Sequence, residues 1–332
     1  MLASVIIPAY NSASTIGECV DALKAQDFSK KEFEIIVVDD GSTDGTAGVA
    51  EKAGAKVFAQ QNAGPARARN LGAKNAKGRI LLFTDADCIA RKNWLSQMLR
   101  PFEDREVVGM QGAYKTMQQS LVARFAQLEI EERYERMAQH ADRLDWIGSY
   151  SAAYRREDFF AAGGFDESFP KASGEDPELS YKLAKMGKKL VFNPKAIVYH
   201  THPDTIFKYF KTKFYRAYYR ISLYSKHADK IVNDSYTPSS IKLQIIGGYF
   251  GTLMVGLVPA LYFLGRPDIA ELALAVNLIL LIATCATILK SFHFTAGKDL
   301  KVGLFSLFMI QVRTFAFMLG LPAGLIRKVV GK

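Results

Sequence analysis

Two carboxylates separated by one alanine, Asp85 and Asp87, close the apolar run LLFTDADC. Strand interiors seldom hold acids, so the pair belongs where a strand stops. Oxygen ligands of this kind suit a hard divalent cation, although an isolated D-x-D fits a solvated turn equally well. A second pair, Asp39–Asp40, closes the run EIIVVDD. A third, Glu175–Asp176, stands in GEDPELSYKL ahead of a helical pattern. Adjacent acids raise one another's proton affinity, which suits a general base, and acids are also favoured at a helix N-terminus for structural reasons alone. His200 and His202, in YHTHP, follow the last strand of the polar half. His200 is a further candidate ligand for the cation, beside the simpler reading of an ordinary histidine.

These acids need elements to hold them. Ser4–Ile7 reads as a short buried strand stopped by Pro8, and NSASTIGECVDALKAQ as a helix with Thr15 and Glu18 spaced as a capping box. A strand over Glu34–Asp39, a helix near Thr46–Ala53, a strand near Lys56–Ala59, a helix near Pro65–Ala76 and a strand over Arg79–Thr84 follow. Such alternation predicts an α/β fold with a mostly parallel sheet, helices on both faces, and ligands beyond the carboxyl ends of the strands. Two of the acid pairs fall at such ends. In an extended segment Asp85 and Asp87 would point to one side. Further on, Leu121–His140 reads as a long polar helix, Asp145–Tyr154 as a strand, GGFDESF as a turn, and the GED block as a helix start.

The last third has another character. Of the net charge of +10, none resides in Met1–Tyr199, where 27 basic residues face 27 acidic ones; His200–Lys332 holds 16 basic and 6 acidic. That segment is also the most hydrophobic, so its charge fits an anionic membrane surface and not a nucleic acid. Gln244–Gly265 runs 22 residues without a charge and Leu272–Leu289 another 18, both near the length of a transmembrane helix. Val302–Ile326 is long enough, but Gln311 and Arg313 interrupt its middle and Gly320, Pro322 and Gly324 its end. Whether it spans, re-enters or lies at the interface is open at this point. Before the spans, IFKYFKTKFYRAYYRISLY reads as a basic amphipathic helix, with Phe207, Phe210, Phe214 and Ile221 as an apolar stripe among Lys208, Lys211, Arg216 and Arg220. The Lys/Arg bias of the loops puts the polar half in the cytoplasm of a multi-pass cell-membrane protein, while Arg327, Lys328 and Lys332 conflict with a simple third crossing. Cys19, Cys88 and Cys285 fit no metal spacing and predict no disulfide framework.

Taken together, SVIIPAYNSASTI, IIVVDDGSTDGT, NAGPARARNLG, LLFTDADC, GGFDESF and GEDPELSYKL resemble a family 2 glycosyltransferase with the GT-A fold, over about residues 3–200. The resemblance implies a nucleotide-sugar half over 1–105 and an acceptor half over 106–200, then a basic interface helix and linker over 201–240 and a membrane region over 241–332. It implies that Pro8, Tyr10, Asp40, Arg69, Asp85 and Asp87 bind the nucleotide sugar, with Asp40 on the base of the nucleotide. Asp87 would ligate Mg2+ or Mn2+ directly, with Asp85 nearer the ribose or a metal-bound water. Asp176, with Glu175 beside it, would be the base of an inverting transfer, and Gly163–Phe165 would shape the acceptor pocket. The implied partners are a UDP- or GDP-sugar, a lipid-linked or glycan acceptor, and membrane lipids. No Q-x-x-R-W block follows the GED block, which favours single addition. A polyprenyl-phosphate glycosyltransferase, whose acceptor is already an anion, is the nearest alternative. An inert membrane scaffold is the alternative of another class. A sugar-phosphate nucleotidyltransferase would want a basic, glycine-rich loop where this chain has PAYNSAS.

Overall fold

The computed structural model describes residues 1–140, 144–169, 174–231 and 234–330; Lys332, one of the cations weighed above for orientation, lies outside them. In chain order the elements are β1 (Ala3–Ala9), α1 (Ile16–Lys24), β2 (Phe33–Asp39), α2 (Thr46–Ala53), β3 (Lys56–Ala59), α3 (Pro65–Asn75), β4 (Ile80–Thr84), β5 (Ile89–Ala90) and α4 (Trp94–Leu99). Then come β6 (Val107–Lys115), α5 (Leu121–Gln139), β7 (Ser151–Arg155), α6 (Arg156–Ala161), α7 (Glu175–Lys185), β8 (Lys189–Tyr199), α8 (Ile206–Lys226), α9 (Ser239–Phe263), α10 (Pro267–Lys298) and α11 (Leu300–Val330). Packing divides the chain into two units. One holds Met1–Met117, Tyr134–His202 and His227–Tyr236; the other holds Gln118–Arg133, Pro203–Lys226 and Thr237–Lys332.

In the first unit eight strands form one sheet in the order β3-β2-β1-β4-β7-β6-β8-β5. The β3-β2-β1-β4 half is parallel throughout, as alternating strands and helices require. The other half is mixed: β7 runs antiparallel to both β4 and β6, while β6 and β8 are parallel. The central strands are apolar because both their faces are covered, with Val5, Ile6, Ile7, Leu81, Leu82 and Phe83 fully buried. Phe83 anchors an aromatic cluster with Tyr154, Phe159 and Phe165.

Several local expectations are corrected. Pro8 does not stop β1; the ladder to β4 ends at Ile6, so the missing proline N–H breaks no bond with β4. Thr15 does precede α1 but caps nothing, since its hydroxyl donates back to the Ser12 carbonyl at 3.3 Å. Of Asp145–Tyr154 only Ser151–Tyr154 is strand, because β7 begins where it meets Thr84 of β4.

In the second unit α9, α10 and α11 are each long and apolar enough to cross a membrane. The residues that seemed to interrupt the third are accommodated within one continuous helix of 31 residues. Arg313 is buried and donates to Glu129 of α5 at 3.2 Å and to Gln244 of α9 at 2.6 Å, which removes most of the cost of a cation among apolar helices. Glu129 also receives Arg133 at 3.0 Å, Lys213 at 2.5 Å and the Tyr209 hydroxyl at 2.9 Å. These cations hold its carboxyl well below the usual range although burial acts the other way. Gly320 and Gly324 leave room for α8, since a Cβ on either would meet the carbonyl oxygen of Phe214 or Tyr218. The buried residues of α8 are Tyr209, Lys213, Ala217 and Leu223, which leaves the phenylalanine stripe read from sequence outside the packed face. Phe207 of that stripe is 73% exposed.

Candidate active site

The loops after β1 and β2 are knitted together at the carboxyl rim of the parallel half. Asn11 sits at a positive φ of 48°, its N–H donating to the Ser42 hydroxyl and its side-chain oxygen accepting from the Thr43 N–H. The Ser12 N–H donates to Thr46, and Asp44 accepts from the Ala13 N–H. Asp39 closes its own turn by accepting the Ser42 N–H. Asp40 is buried and accepts from the Gln60 side chain at 2.7 Å and from the Ala63 and Gly64 N–H groups at 2.8 and 2.9 Å. What Asp40 visibly holds is the loop 60–64. Pro8 lies at this rim, half-buried, and Tyr10 is exposed.

Beyond β4 the chain is not extended. A turn closed by the Cys88 N–H on the Asp85 carbonyl folds Asp85 and Asp87 together, correcting the same-side expectation for a strand. Their convergence survives through the turn: one ligand atom each from Asp85, Asp87 and Cys88 lie within 4.8 Å of one another. Burial and then the two acids push the Cys88 thiol up, and a hard cation prefers the carboxylate oxygens beside it. His200, at the end of β8, has Nε2 3.3 Å from Asp87 Oδ2. Burial would raise the Asp87 carboxyl, but the imidazole outweighs it and the net direction is down. Two converging carboxylates plus one imidazole nitrogen suit a small divalent cation.

Arg69, on α3, is buried and bridges two acid sites. It donates to Glu175 Oε1 at 2.8 Å and to Asp85 Oδ1 at 3.0 Å, and its guanidinium lies 5.7 Å from the Phe165 ring centroid. Its neighbour Asn70 clamps the same turn, donating to the Phe165 carbonyl at 2.8 Å and accepting the Phe165 N–H at 3.0 Å. The turn needs its glycines: Gly163 and Gly164 sit at φ of 88° and 69°. Arg69 thus faces carboxylates at both its terminal nitrogens, a different setting from the donor-side contact the resemblance implied.

Asp176 follows Glu175 at the start of α7 and is half-buried. Its carboxylate accepts the Ser149 N–H at 3.3 Å. Desolvation first, and the neighbouring Glu175 second, push its pKa up to about 7 against the lowering effect of Arg69.

An aromatic stack was not legible in the sequence. Tyr114 lies between Tyr150, at 3.7 Å between centroids, and His200, at 4.5 Å. Its hydroxyl reaches Asp85 Oδ2 at 3.4 Å. The one available hint was Gln111, a fully buried polar residue inside an apolar strand, which donates to Tyr150. His202 is buried against His200. Arg67 points away, toward Glu167 at 4.0 Å, and with Gln60, Asn62 and Lys74 lines a polar cavity of about 380 Å³. Among the described residues that line it, none is Asp85, Asp87, Glu175 or Asp176.

Residues 4–160 match the family described as glycosyl transferase family 2. The chain is 37% identical over 100 residues to glycosyltransferase AglE of Haloferax volcanii, covering 28% of this chain and 33% of that protein. It is 30% identical over 220 residues to validoxylamine A glucosyltransferase of Streptomyces hygroscopicus subsp. jinggangensis, covering 56% of this chain and 52% of that protein. The matched region thus spans a third to a half of these relatives' own length. Among solved structures, mannosyltransferase PcManGT from Pyrobaculum calidifontis, in complex with GDP-Man and Mn2+, superposes with a TM-score of 0.60 at 21% identity, covering 99% of this chain and 87% of that one. That likeness shows a shared fold, the GT-A arrangement of a mixed sheet with C-terminal helices.

Proposed function

From the match of residues 4–160 to glycosyl transferase family 2, we propose that the protein is a membrane-bound inverting glycosyltransferase that moves one sugar from a nucleotide-sugar donor to a hydroxyl of a lipid-linked or glycan acceptor. The observation that carries this reading is the position of Asp176. A carboxyl pushed up to about 7 begins α7, tied through Glu175 and Arg69 to the acid of the D-x-D turn. A base poised near neutral pH is what an attacking hydroxyl needs, and an acid pair is what a diphosphate leaving group needs.

In this reading Asp176 accepts the proton of the acceptor hydroxyl as its oxygen attacks the anomeric carbon. The bond from that carbon to the diphosphate breaks, and the nucleoside diphosphate leaves with the electron pair. A divalent cation held by Asp87, Asp85 and His200 would supply charge neutralisation to that leaving group. Pro8, Tyr10 and Asp40 line the nucleotide side, and Tyr114 steadies Asp85. Glu175 shares the charge that raises Asp176. The excess of lysine and arginine in the loops supports a plasma-membrane location with this domain on the cytoplasmic face.

The test is a donor screen with purified full-length protein, reading released nucleoside diphosphate across UDP- and GDP-sugars with Mg2+ or Mn2+. Release from one donor, dependent on an added lipid-linked or glycan acceptor, is expected. No release from any donor would overturn the reading.

A further inference from the structure

We infer that Arg69 is a positioning residue that sets the spacing and charge balance of the two acid sites, and that it makes no contact with the donor. The inference rests on the glycosyl-transfer reading above for its kinetic consequences, though not for its geometry. The Arg69 side chain is 3% exposed, its two terminal nitrogens face Glu175 and Asp85, and the Phe165 ring lies beside its guanidinium. Glu175 is 1% exposed and also accepts the Gly174 N–H at 3.1 Å, so it cannot turn to solvent if its cation is lost. A planar fork with fixed donors is well suited to hold two carboxylates from different elements at a set spacing. A single guanidinium on α3 therefore fixes the end of β4 relative to the start of α7. These are the two places where leaving group and attacking hydroxyl must be held.

The charges around Asp176 make the consequence specific. Facing it are Glu175 on its own helix, Arg69 from α3, Tyr150 from the loop before β7 and Tyr154 from β7. Arg69 is the one cation among these. Without it, the one influence from a cation that lowers Asp176 is gone, and Asp176 gives up its proton only at higher pH.

Arg69→Gln is therefore expected to lower kcat by about 10²-fold, the cost of an ångström-scale misplacement. Donor KM should stay within about threefold, Mn2+ binding read by electron paramagnetic resonance should be kept, and the acid limb of the pH–rate profile should move upward. Arg69→Gln combined with Glu175→Gln removes the orphaned charge and leaves two amides that can bond each other. That pair should regain melting temperature and return the acid limb toward its original position. A large rise in donor KM with an unmoved pH limb would overturn the inference in favour of donor contact. Loss of Mn2+ binding, or a double variant no more stable than the single one, would overturn it as well. If the wild type turned over no donor, the functional reading would fall. The Mn2+ and melting-temperature arms would still decide the fate of Arg69.

Discussion

The Nε2 atom of His200 lies 3.3 Å from Oδ2 of Asp87, joining the end of β8 to the turn after β4. The contact puts the imidazole that the sequence offered as a further candidate ligand directly beside the acid pair. Because the Asp87 side chain is 43% exposed, its loss should cost little stability.

Asp87→Asn is expected to remove most activity while the melting temperature stays within a degree or two, since an amide lacks the charge that attracts the cation. Excess EDTA should abolish wild-type turnover, and Mn2+ should restore it. Full activity of the variant, or of the wild type in EDTA, would refute the metal assignment.

Asp176→Asn should lower kcat by roughly 10²–10⁴, the usual worth of general acid–base catalysis, with donor affinity unchanged. Asparagine keeps a side-chain oxygen that can accept the Ser149 N–H, so stability near neutral pH should hold. Near-normal turnover would instead favour a phosphate acceptor, which needs no base.

The same carboxyl gives opposite slopes with pH. An unfolded aspartate ionises near 4, whereas folded Asp176 keeps its proton up to about 7. Between those values the folded state binds the extra proton, so this group's contribution to stability falls as pH rises. Turnover rises over the upper part of that window, as the base ionises. Thermal melts and initial rates on one pH series should therefore diverge between about pH 5 and 7, and Asp176→Asn should flatten both trends.

Glu129→Ala should destabilise the second unit by about 3–5 kcal/mol, because it leaves buried Arg133, Lys213 and Arg313 without their shared acid. Melting of the detergent-solubilised protein is the measurement. A shift below a degree would show that the carboxylate is not what stabilises Arg313.

Replacing Lys208, Lys211, Arg216 and Arg220 together by Gln should weaken binding to anionic vesicles by up to about 10³-fold at low salt, from about 1 kcal/mol for each cation near the surface. Co-sedimentation over a salt series reads it directly. Binding unchanged by both salt and substitution would remove α8 from the contact surface.

Much of this architecture was visible in the residues. EIIVVDD and ILLFT are buried strands because nothing polar interrupts them and turn residues follow. The elements that failed were those whose form depends on partners distant in the chain. Nothing local in Val107–Lys115 says that it pairs antiparallel with β7 and parallel with β8. Nothing local singles out Tyr114; only the fold brings its hydroxyl to Asp85. The packed face of α8 was not legible for a related reason. Hydrophobicity picks out phenylalanines, but what packs is chosen by the glycines of α11, which accept Ala217, and by Glu129, which accepts Lys213. Arg69 stands out by residue type, but a guanidinium suits carboxylates as well as phosphates, and only the fold brings Glu175 and Asp85 to it.

The packing of α11 against α8 also has a consequence in time. A ribosome makes Glu129 and Arg133 first, Lys213 next and Arg313 last. At about 5–20 residues per second, the gap between α8 and α11 lasts on the order of ten seconds. During that interval the face of α8 that will meet Gly320 and Gly324 has no partner, and Glu129 has only its first cations. Nascent chains halted before α11 should be the ones that chaperones and membrane proteases recognise, and release should follow once the last helix arrives.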